Sequence, residues 1–225
     1  DMNTHDHLNF DTGGAGVQKK ACSTLSSTTN GLKILLIQPP ETGGVKTFLA
    51  HFKGGMKDIG LKQPLGLLSV ASAINKLSCH DVKVIDAIAE RLTFDGLLQR
   101  VLEYRPDVVG ISAWTDFWWP AYRTGEVIKQ ALPDSHLCYG GPHVGIFPEE
   151  TLSVPFVDSV VIGDGEIPFL YLCNGLSRGE QTFDCKGIHT KSLGGTFPPM
   201  TQYVQADLDA LPELDRTLLP IENYG

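Results

Sequence analysis

The sequence predicts an α/β protein with a doubly wound, five-stranded parallel sheet. Apolar, strand-like runs alternate five times with helix-like segments between Lys33 and Gly179. Several of these runs are continuously apolar, which is typical of strands buried on both faces. Parallel strands need crossover connections, and right-handed crossovers place helices on both faces of the sheet. A chain of 225 residues is long enough to bury one such core, which we place at residues 31–180.

The first 30 residues predict a disordered tail, because they are rich in Ser, Thr, Gly and Asn and show no apolar period. They lack the basic start and apolar stretch of a signal peptide, and no apolar run in the chain approaches about 18 residues. The five cysteines are scattered with no CxxC pair, which favours reduced thiols. We therefore expect a cytoplasmic protein without a transmembrane segment. Its net charge of −8 argues against a nucleic-acid or anionic-membrane partner.

The elements of the sheet domain follow in order. "KILLIQPP" predicts a buried strand ended by prolines, and "PLGLLSVASAINKL" a helix with Pro64 in its first turn. "DVKVIDA" is the second strand, and "TFDGLLQRVLEY" the second helix with Thr93 as N-cap. The remaining pairs are "PDVVGISA" with "WPAYRTGEVIKQAL", then "SHLCYGG" with a short helix near Pro148, and finally "VDSVVIGDGE" with "EIPFLYLCNGLSRG".

Residues 181–225 break this alternation. "CKGIHTK" and "GGTFPPMTQYV" predict a small β hairpin or meander with a turn at Gly194 and Gly195. The last stretch, "ADLDALPELDRTLLPIENYG", is interrupted by prolines and has little apolar content of its own. We interpret this part as a small β appendage followed by a linker.

A ligand site in such a sheet is expected at the carboxyl ends of the strands. The loops there begin at Gln38, Trp114, Gly140 and Gly163, and they are rich in glycine and nearly neutral. Glycines allow close approach of the backbone, and an aromatic side chain offers a stacking surface, so a large flat ligand suits this rim. Trp118 and Trp119 are adjacent and cannot share one helix face, so we expect them to cover the core or to contact a partner domain.

Several other chemistries are disfavoured by the sequence. The stretch "ETGGVKT" lacks the glycine that a phosphate-binding loop needs before its lysine, and no GxGxxG follows the first strand. Ser112 is not part of a Gly-x-Ser-x-Gly elbow, and His80, His143 and His189 have no carboxylate partner at an informative spacing. We therefore assign no catalytic and no metal-ligating residue to this chain.

Five segments in order resemble the N-terminal cobalamin-binding domain of cobalamin-dependent radical S-adenosylmethionine (SAM) enzymes. They are "QPLGLLSVASAI", "RPDVVGISAWT", "CYGGPHVGIFPEE", "VDSVVIGDGEIPF" and "DLDALPELDRTLLPIENYG". The resemblance extends over roughly residues 33–225. It implies a flavodoxin-like (Rossmann-like) sheet with the corrin of cobalamin lying across its carboxyl edge.

The resemblance also implies which positions bind the cofactor. They lie on four loops at the carboxyl edge, after strands one, three, four and five. The first loop supplies Gln38, Pro39 and Pro40; the second Ser112, Trp114 and Thr115; the third Gly140, Gly141, Pro142 and His143; and the fourth Gly163, Asp164, Gly165 and Glu166. Plain turn chemistry is the competing explanation for the glycines.

The chain departs from the cobalamin domains that place a histidine on cobalt. Those domains carry Asp-x-His-x-x-Gly after the first strand, whereas here Leu49 stands two residues before His51. The chain therefore resembles the class that binds cobalamin base-off, with no protein histidine on the metal. We expect Trp114 to lie close beneath the corrin, where its indole can exclude water but cannot coordinate cobalt.

The resemblance further implies that the chain is the front part of a radical SAM enzyme. The [4Fe–4S] cluster and SAM would belong to a barrel domain in cis, because no CxxxCxxC motif occurs here. The implied reaction is methyl transfer to an unactivated carbon, with this chain inactive on its own. The alternative is a non-catalytic flavodoxin-like docking or sensor module that binds another flat ligand or none, since fold alone does not determine function.

Overall fold

The computed structural model describes residues 31–41, 62–191 and 199–224. The predicted tail at residues 1–30, His51, and the predicted turn at Gly194 and Gly195 lie outside these ranges.

The sheet contains six strands in the order β2-β1-β3-β4-β5-β6 within the described part of the chain. The strands are β1 (Lys33–Gln38), β2 (Asp81–Asp86), β3 (Val108–Ser112), β4 (His136–Gly140), β5 (Ser159–Val161) and β6 (Ile188–Thr190). The first five run parallel, as predicted, and β6 pairs antiparallel with β5. The predicted α/β sheet is confirmed, and the structure adds β6, which joins the sheet at one edge.

Helices cover both faces of the sheet. They are α1 (Leu65–Leu77), α2 (Phe94–Tyr104), α3 (Trp118–Ala131), α4 (Pro142–Ile146), α5 (Pro148–Ser153) and α6 (Glu166–Ser177). Thr93 caps α2 as predicted, and its Oγ1 accepts a hydrogen bond from the Gly96 backbone N–H at 3.1 Å. By contrast, α1 follows Pro64 and has no capping side chain.

The alternation of side chains along β1 divides the core into two layers. Ile34 and Leu36 pack with apolar residues of α1 and α6, whereas Leu35 and Ile37 pack with α2, α3, α4 and α5. This separation follows from the period of two in a strand, which sends successive side chains to opposite faces. All four side chains are buried, which explains why the run is continuously apolar.

The C-terminal segment, which we define as residues 199–224, packs back onto the domain. It contains three short 3₁₀ turns, Leu208–Ala210, Arg216–Leu218 and Ile221–Tyr224. Leu219 is only 2% exposed and belongs to the core layer formed by α1 and α6. The sequence predicted a linker with little core of its own, and the structure shows that this segment shares the core of the sheet domain.

Two further predictions have structural outcomes. Cys138, Cys173 and Cys185 are free thiols, but Cys79 is disulfide-bonded, so the prediction that all five cysteines are reduced is wrong in this structure. Among the described residues, no helix combines the length and apolar character needed to span a membrane.

Candidate functional site

The carboxyl ends of the five parallel strands open onto one cavity of about 620 Å³. The register pairs Ile37 of β1 with Ile111 of β3, and Ser112 of β3 with Gly140 of β4, so these strand ends lie side by side. The cavity lies where β1 and β3 are neighbours, at the point where the order of the strands reverses. Ligands of open α/β sheets bind at this position.

The floor of the cavity is apolar. Strand residues contribute Leu36, Gly110, Cys138 and Val161, and helices contribute Val70 and Phe169. A Cβ atom at Gly110 would stand 2.6 Å from Leu36 Cδ2 and 3.2 Å from Phe169 Cζ, so a larger residue there would force these side chains of the floor to shift. Burial raises the pKa of the Cys138 thiol to about 12, which keeps it protonated and uncharged at neutral pH.

Most of the sequence-predicted site residues lie at this cavity. The lining includes Gln38, Ser112, Trp114, Gly140, Gly141, Pro142, Gly163, Asp164, Gly165 and Glu166. Pro39, Pro40, Thr115 and His143 are not among the lining residues. The structure therefore places ten of the fourteen positions together, and their contact with a cofactor stays a prediction.

The "GGPH" stretch begins a helix, which the sequence interpretation had treated as a loop. Gly141 precedes α4 with a φ of 97°, and Pro142 occupies the first helical position, where its missing N–H costs nothing. A Cβ atom at Gly141 would stand 2.8 Å from the Ala113 carbonyl oxygen, which also accepts a hydrogen bond from the His143 N–H at 3.0 Å. Turn chemistry and the close contact with β3 therefore explain Gly141.

His143 is buried behind the rim. Its ring stacks on Trp118 with centroids 4.3 Å apart, and its Nδ1 lies 3.4 Å from Thr115 Oγ1. Burial lowers the pKa of His143, although the nearby Glu150 carboxylate opposes this shift. Trp118 also packs against the core, which is one of the two roles predicted for it, the other being contact with a partner domain. The stacked rings of Trp118 and His143 therefore lie between the rim and the core.

The loop after β5 is held by the C-terminal segment. Gly163 has a φ of 95°, and a Cβ atom there would stand 2.0 Å from the Tyr203 carbonyl oxygen. The Asp164 N–H donates to that same oxygen at 3.0 Å, and Asp164 Oδ2 accepts a hydrogen bond from the Gln205 N–H at 2.8 Å. Gly163 and Asp164 therefore have structural partners in addition to their place on the cavity wall.

Sequence reasoning missed several residues of the lining. The residues leading into α1 supply Lys62 and Gln63, the first turn of α1 supplies Leu65 and Gly66, and the end of β2 supplies Asp86. Among residues 31–41, 62–191 and 199–224, nothing lies within 4 Å of the position that a Cβ atom at Gly66 would take. The strand-end argument that selected Gln38 applies equally to Asp86, because the two residues are paired in register. That signal was available in the sequence.

The cavity carries little charge, and no described histidine lines it. Its ionisable groups are Lys62, Asp86, Asp164 and Glu166, apart from the Cys138 thiol and the Tyr139 phenol. Within the described ranges, no group of three or more His, Cys, Asp or Glu side chains is arranged to hold a metal ion. The site is therefore suited to a large, mainly neutral ligand held by shape, stacking and backbone contacts.

Comparison with known families identifies the domain. The family described as "B12 binding domain" matches residues 53–172, which is more than half of the chain. The chain belongs to the B12-binding domain family. This membership confirms the predicted cobalamin-binding domain and favours it over the docking or sensor module.

Curated relatives of this B12-binding domain include three longer proteins. An uncharacterized methyltransferase of Pyrococcus horikoshii is 32% identical over 194 residues, which are 86% of this chain and 40% of the relative. A cytidylyl-2-hydroxyethylphosphonate methyltransferase of Streptomyces wedmorensis is 29% identical over 59% of this chain and 28% of its own length. An anaerobic magnesium-protoporphyrin IX monomethyl ester cyclase of Rubrivivax gelatinosus is 28% identical over 57% and 23%. The chain thus spans at most 40% of these relatives.

Solved structures show the same fold for this B12-binding domain. The radical SAM methyltransferase TsrM from Kitasatospora setae, with cobalamin and a [4Fe–4S] cluster bound, has a TM-score of 0.58 at 18% identity over 72% of this chain and 29% of its own. The cobalamin-dependent SAM radical enzyme OxsB, with aqua-cobalamin and SAM bound, has a TM-score of 0.63 at 15% identity over 79% and 23%. The predicted flavodoxin-like fold and the resemblance to cobalamin domains are confirmed.

Proposed function

We propose that this B12-binding domain holds cobalamin in the cavity at the carboxyl edge of its sheet, as the cofactor domain of a radical SAM enzyme. The observation that carries the proposal is the cavity of about 620 Å³ with its apolar floor and nearly neutral rim. The fourteen residues predicted from sequence are proposed as the cofactor-binding set, in which Pro39, Pro40, Thr115 and His143 act from behind the lining.

The residues present fit such a ligand. A large, nearly flat conjugated macrocycle gains free energy from an apolar floor and an aromatic edge, and Leu36, Phe169 and Trp114 supply these surfaces. Gly66 leaves open space at the first turn of α1, so a ligand can approach the backbone closely. When cobalamin is bound, the cofactor supplies the methyl-transfer chemistry. The protein binds it, orients it and excludes water.

We propose base-off binding without a histidine on cobalt. In support, no histidine of the described ranges lines the cavity, and His143 is engaged with Trp118 and Thr115. Trp114 lines the cavity with 52% of its surface exposed, so its indole is available to a ligand. An indole N–H is a donor only, so Trp114 would pack against the corrin and exclude water without coordinating the metal.

The whole enzyme is proposed to be a methyltransferase acting on an unactivated carbon in the cytoplasm. Two of the curated relatives are named as methyltransferases, and the chain spans at most 40% of the relatives compared here. The [4Fe–4S] cluster and SAM would then be bound by a domain in cis outside these 225 residues. This chain alone is proposed to be catalytically inactive.

Hydroxocobalamin binding followed by gel filtration tests the cofactor assignment. We expect the red chromophore to elute with the protein, and reduction to bound cob(II)alamin to give an electron paramagnetic resonance spectrum without a nitrogen superhyperfine triplet. A colourless protein fraction would contradict cobalamin binding. A nitrogen triplet would contradict base-off binding without histidine and leave the cofactor assignment intact.

Trp114→Ala tests the role of the indole, with Trp119→Ala as the matched control. Trp119 is 60% exposed and stacks on Tyr122, but it does not line the cavity. We expect Trp114→Ala to weaken cobalamin binding by about five- to tenfold, because losing an aromatic contact costs about 1 kcal/mol. Trp119→Ala should bind like the wild type. Equal affinities for the two variants would remove Trp114 from the proposed site.

A further inference from the structure

The C-terminal segment contacts the cavity wall at three separate places. The first is the loop after β5. Tyr203 N–H donates to the Ile162 carbonyl oxygen at 3.0 Å, and the Tyr203 carbonyl oxygen accepts from Asp164 N–H at 3.0 Å. Together with the bond between Gln205 N–H and Asp164 Oδ2 at 2.8 Å, these contacts add a short parallel bridge beside the cavity. The loop carrying Gly163 is thereby fixed from outside the sheet.

The second contact is at the beginning of α1. The Gln63 side chain is buried, and its Nε2 donates to the Arg216 carbonyl oxygen at 3.1 Å. Its Oε1 accepts a hydrogen bond from Arg216 Nη1, also at 3.1 Å. About two turns into α1, Ser72 Oγ accepts from the Asp215 N–H at 2.8 Å. Both the nitrogen and the oxygen of the Gln63 side-chain amide, which lines the cavity, are therefore hydrogen-bonded to the C-terminal segment.

The third contact is at the carboxyl end of β2. Asp86 is only 4% exposed, and its Oδ1 accepts hydrogen bonds from the N–H groups of Ile88 and Ala89 at 3.1 Å each. Its Oδ2 accepts from the Tyr224 hydroxyl at 2.7 Å. Burial first, and then the Asp86 carboxylate, raise the pKa of Tyr224, so the phenol keeps its proton and remains the donor. Asp86 thus joins the cavity wall to Tyr224.

These contacts place the segment along one whole side of the cavity. The loop after β5 and the end of β2 lie at opposite ends of the parallel part of the sheet, with α1 between them on one face. Between the anchor points, Leu214, Leu218 and Leu219 pack into the core layer of α1 and α6. The segment therefore runs from the β5 side, past the start of α1, to the β2 edge.

We propose that the C-terminal segment supports the wall of the cofactor site from outside the cavity and that its anchoring is thermodynamically coupled to cofactor occupancy. Asp86 and Gln63 are positioning residues in this arrangement, because each lines the cavity and is bonded to the segment. The inference rests on the proposed cobalamin site. Coupling between two equilibria is reciprocal, so anchoring that strengthens cofactor binding by some factor must itself be strengthened by the cofactor by the same factor.

Amide hydrogen exchange of the 225-residue chain, with and without hydroxocobalamin, tests the coupling directly. We expect the cofactor to slow exchange in peptides covering residues 199–224. A merely structural contact would slow their exchange no more than the ligand slows exchange elsewhere in the domain, because a ligand that binds the native state stabilises it as a whole. The control is the peptide region of α2, which belongs to the other core layer and reports this general stabilisation.

Tyr224→Phe tests the anchor at Asp86, with Tyr104→Phe as the matched control. Both variants remove one hydroxyl that donates a hydrogen bond, but the Tyr104 hydroxyl donates to the Asp81 carbonyl oxygen at the amino end of β2, away from the cavity. We expect Tyr224→Phe to weaken hydroxocobalamin binding by about two- to tenfold, the range given by a net hydrogen bond. Tyr104→Phe should leave the affinity unchanged.

The outcomes separate the two levels of the proposal. Exchange that slows more in the segment than in α2 on binding, together with weaker binding by Tyr224→Phe, supports the coupling. Normal cobalamin binding with exchange in residues 199–224 slowed no more than in α2, or with equal affinity for both tyrosine variants, overturns the coupling and leaves the proposed function standing. Absence of cobalamin binding to the wild type overturns both.

Discussion

Gly66 offers a substitution whose effects on stability and on ligand binding have opposite signs. It lies in the first turn of α1 and lines the cavity. No atom of the described residues is within 4 Å of the position that its Cβ atom would take, so a side chain there has room at the mouth of the cavity. A glycine in a helix lowers the free energy of unfolding by about 0.5–1 kcal/mol relative to alanine, and neither packing nor backbone conformation requires glycine at position 66. The space that the glycine leaves open for a ligand is the remaining explanation for this residue.

We therefore expect Gly66→Ala to raise the free energy of unfolding by about 0.5–1 kcal/mol, and the melting temperature by about 1–4 °C for a domain of this size. Gly66→Leu should fold as well as the wild type. Its branched side chain would occupy cofactor space, and forcing extra methyl groups into a filled site costs about 1–3 kcal/mol, or a five- to 150-fold loss of cobalamin affinity.

Urea denaturation of the apo protein and titration with hydroxocobalamin measure the two effects separately. Gly96→Ala is the matched control, because Gly96 also lies in the first turn of a helix and its Cβ atom would meet Thr93 Oγ1 at an ordinary 3.5 Å. It belongs to α2 and does not line the cavity. If Gly66→Leu bound cobalamin as tightly as the wild type and Gly96→Ala, the assignment of this cavity to the cofactor would be refuted.

Two more predictions concern the fold. Burial lowers the pKa of His80, whose Nδ1 accepts from the Leu32 N–H at 3.1 Å while its Nε2 donates to Asn174 Oδ1 at 3.0 Å, so the native state favours the neutral ring. Below a pH of about 6.5 the unfolded state binds a proton at His80 that the native state resists, so the free energy of unfolding falls. Urea titrations from pH 7.5 to 5 should show a larger fall in the free energy of unfolding for the wild type than for His80→Gln. Equal falls would contradict this. Gly163→Ala should lower the free energy of unfolding by at least about 1–2 kcal/mol from its positive φ alone, with the 2.0 Å approach to the Tyr203 oxygen adding to this, and an unchanged urea midpoint would argue against the strain.

The sheet and its functional edge were predictable because local pattern determines them. The apolar run of β1 and the cap at Thr93 are both local signals, and the structure confirms both. Once five parallel strands were recognised, the position of the cavity followed from topology alone. The loops carrying Trp114, Gly140 and Gly163 therefore came together at one cavity as expected.

The remaining features depend on contacts between distant parts of the chain, which a local pattern does not contain. Tyr224 and Asp86 are 138 positions apart, and Arg216 and Gln63 are 153 apart. Proline-rich sequence with few apolar residues resembles a linker until its leucines are seen to enter an existing core. His143 was likewise assigned to the cavity by its position in the loop, whereas stacking on Trp118 turns it away from the lining.

The cavity glycines resolve the competition between turn chemistry and ligand contact, because the two explanations make different demands on geometry. Gly141 and Gly163 have positive φ, and a Cβ atom at either position would stand less than 3 Å from a backbone oxygen. The fold therefore requires glycine at both positions whether or not a ligand binds. Within the part of the chain that the structure describes, the nearest atom to the Cβ position of Gly140 is 3.8 Å away, and Gly66 has none within 4 Å. Neither has a positive φ, so the fold alone would accept a larger residue. Of these four glycines, only Gly66 and Gly140 therefore add support to the proposed cofactor site, and substitution at these two positions should separate binding from folding where substitution at Gly141 or Gly163 cannot.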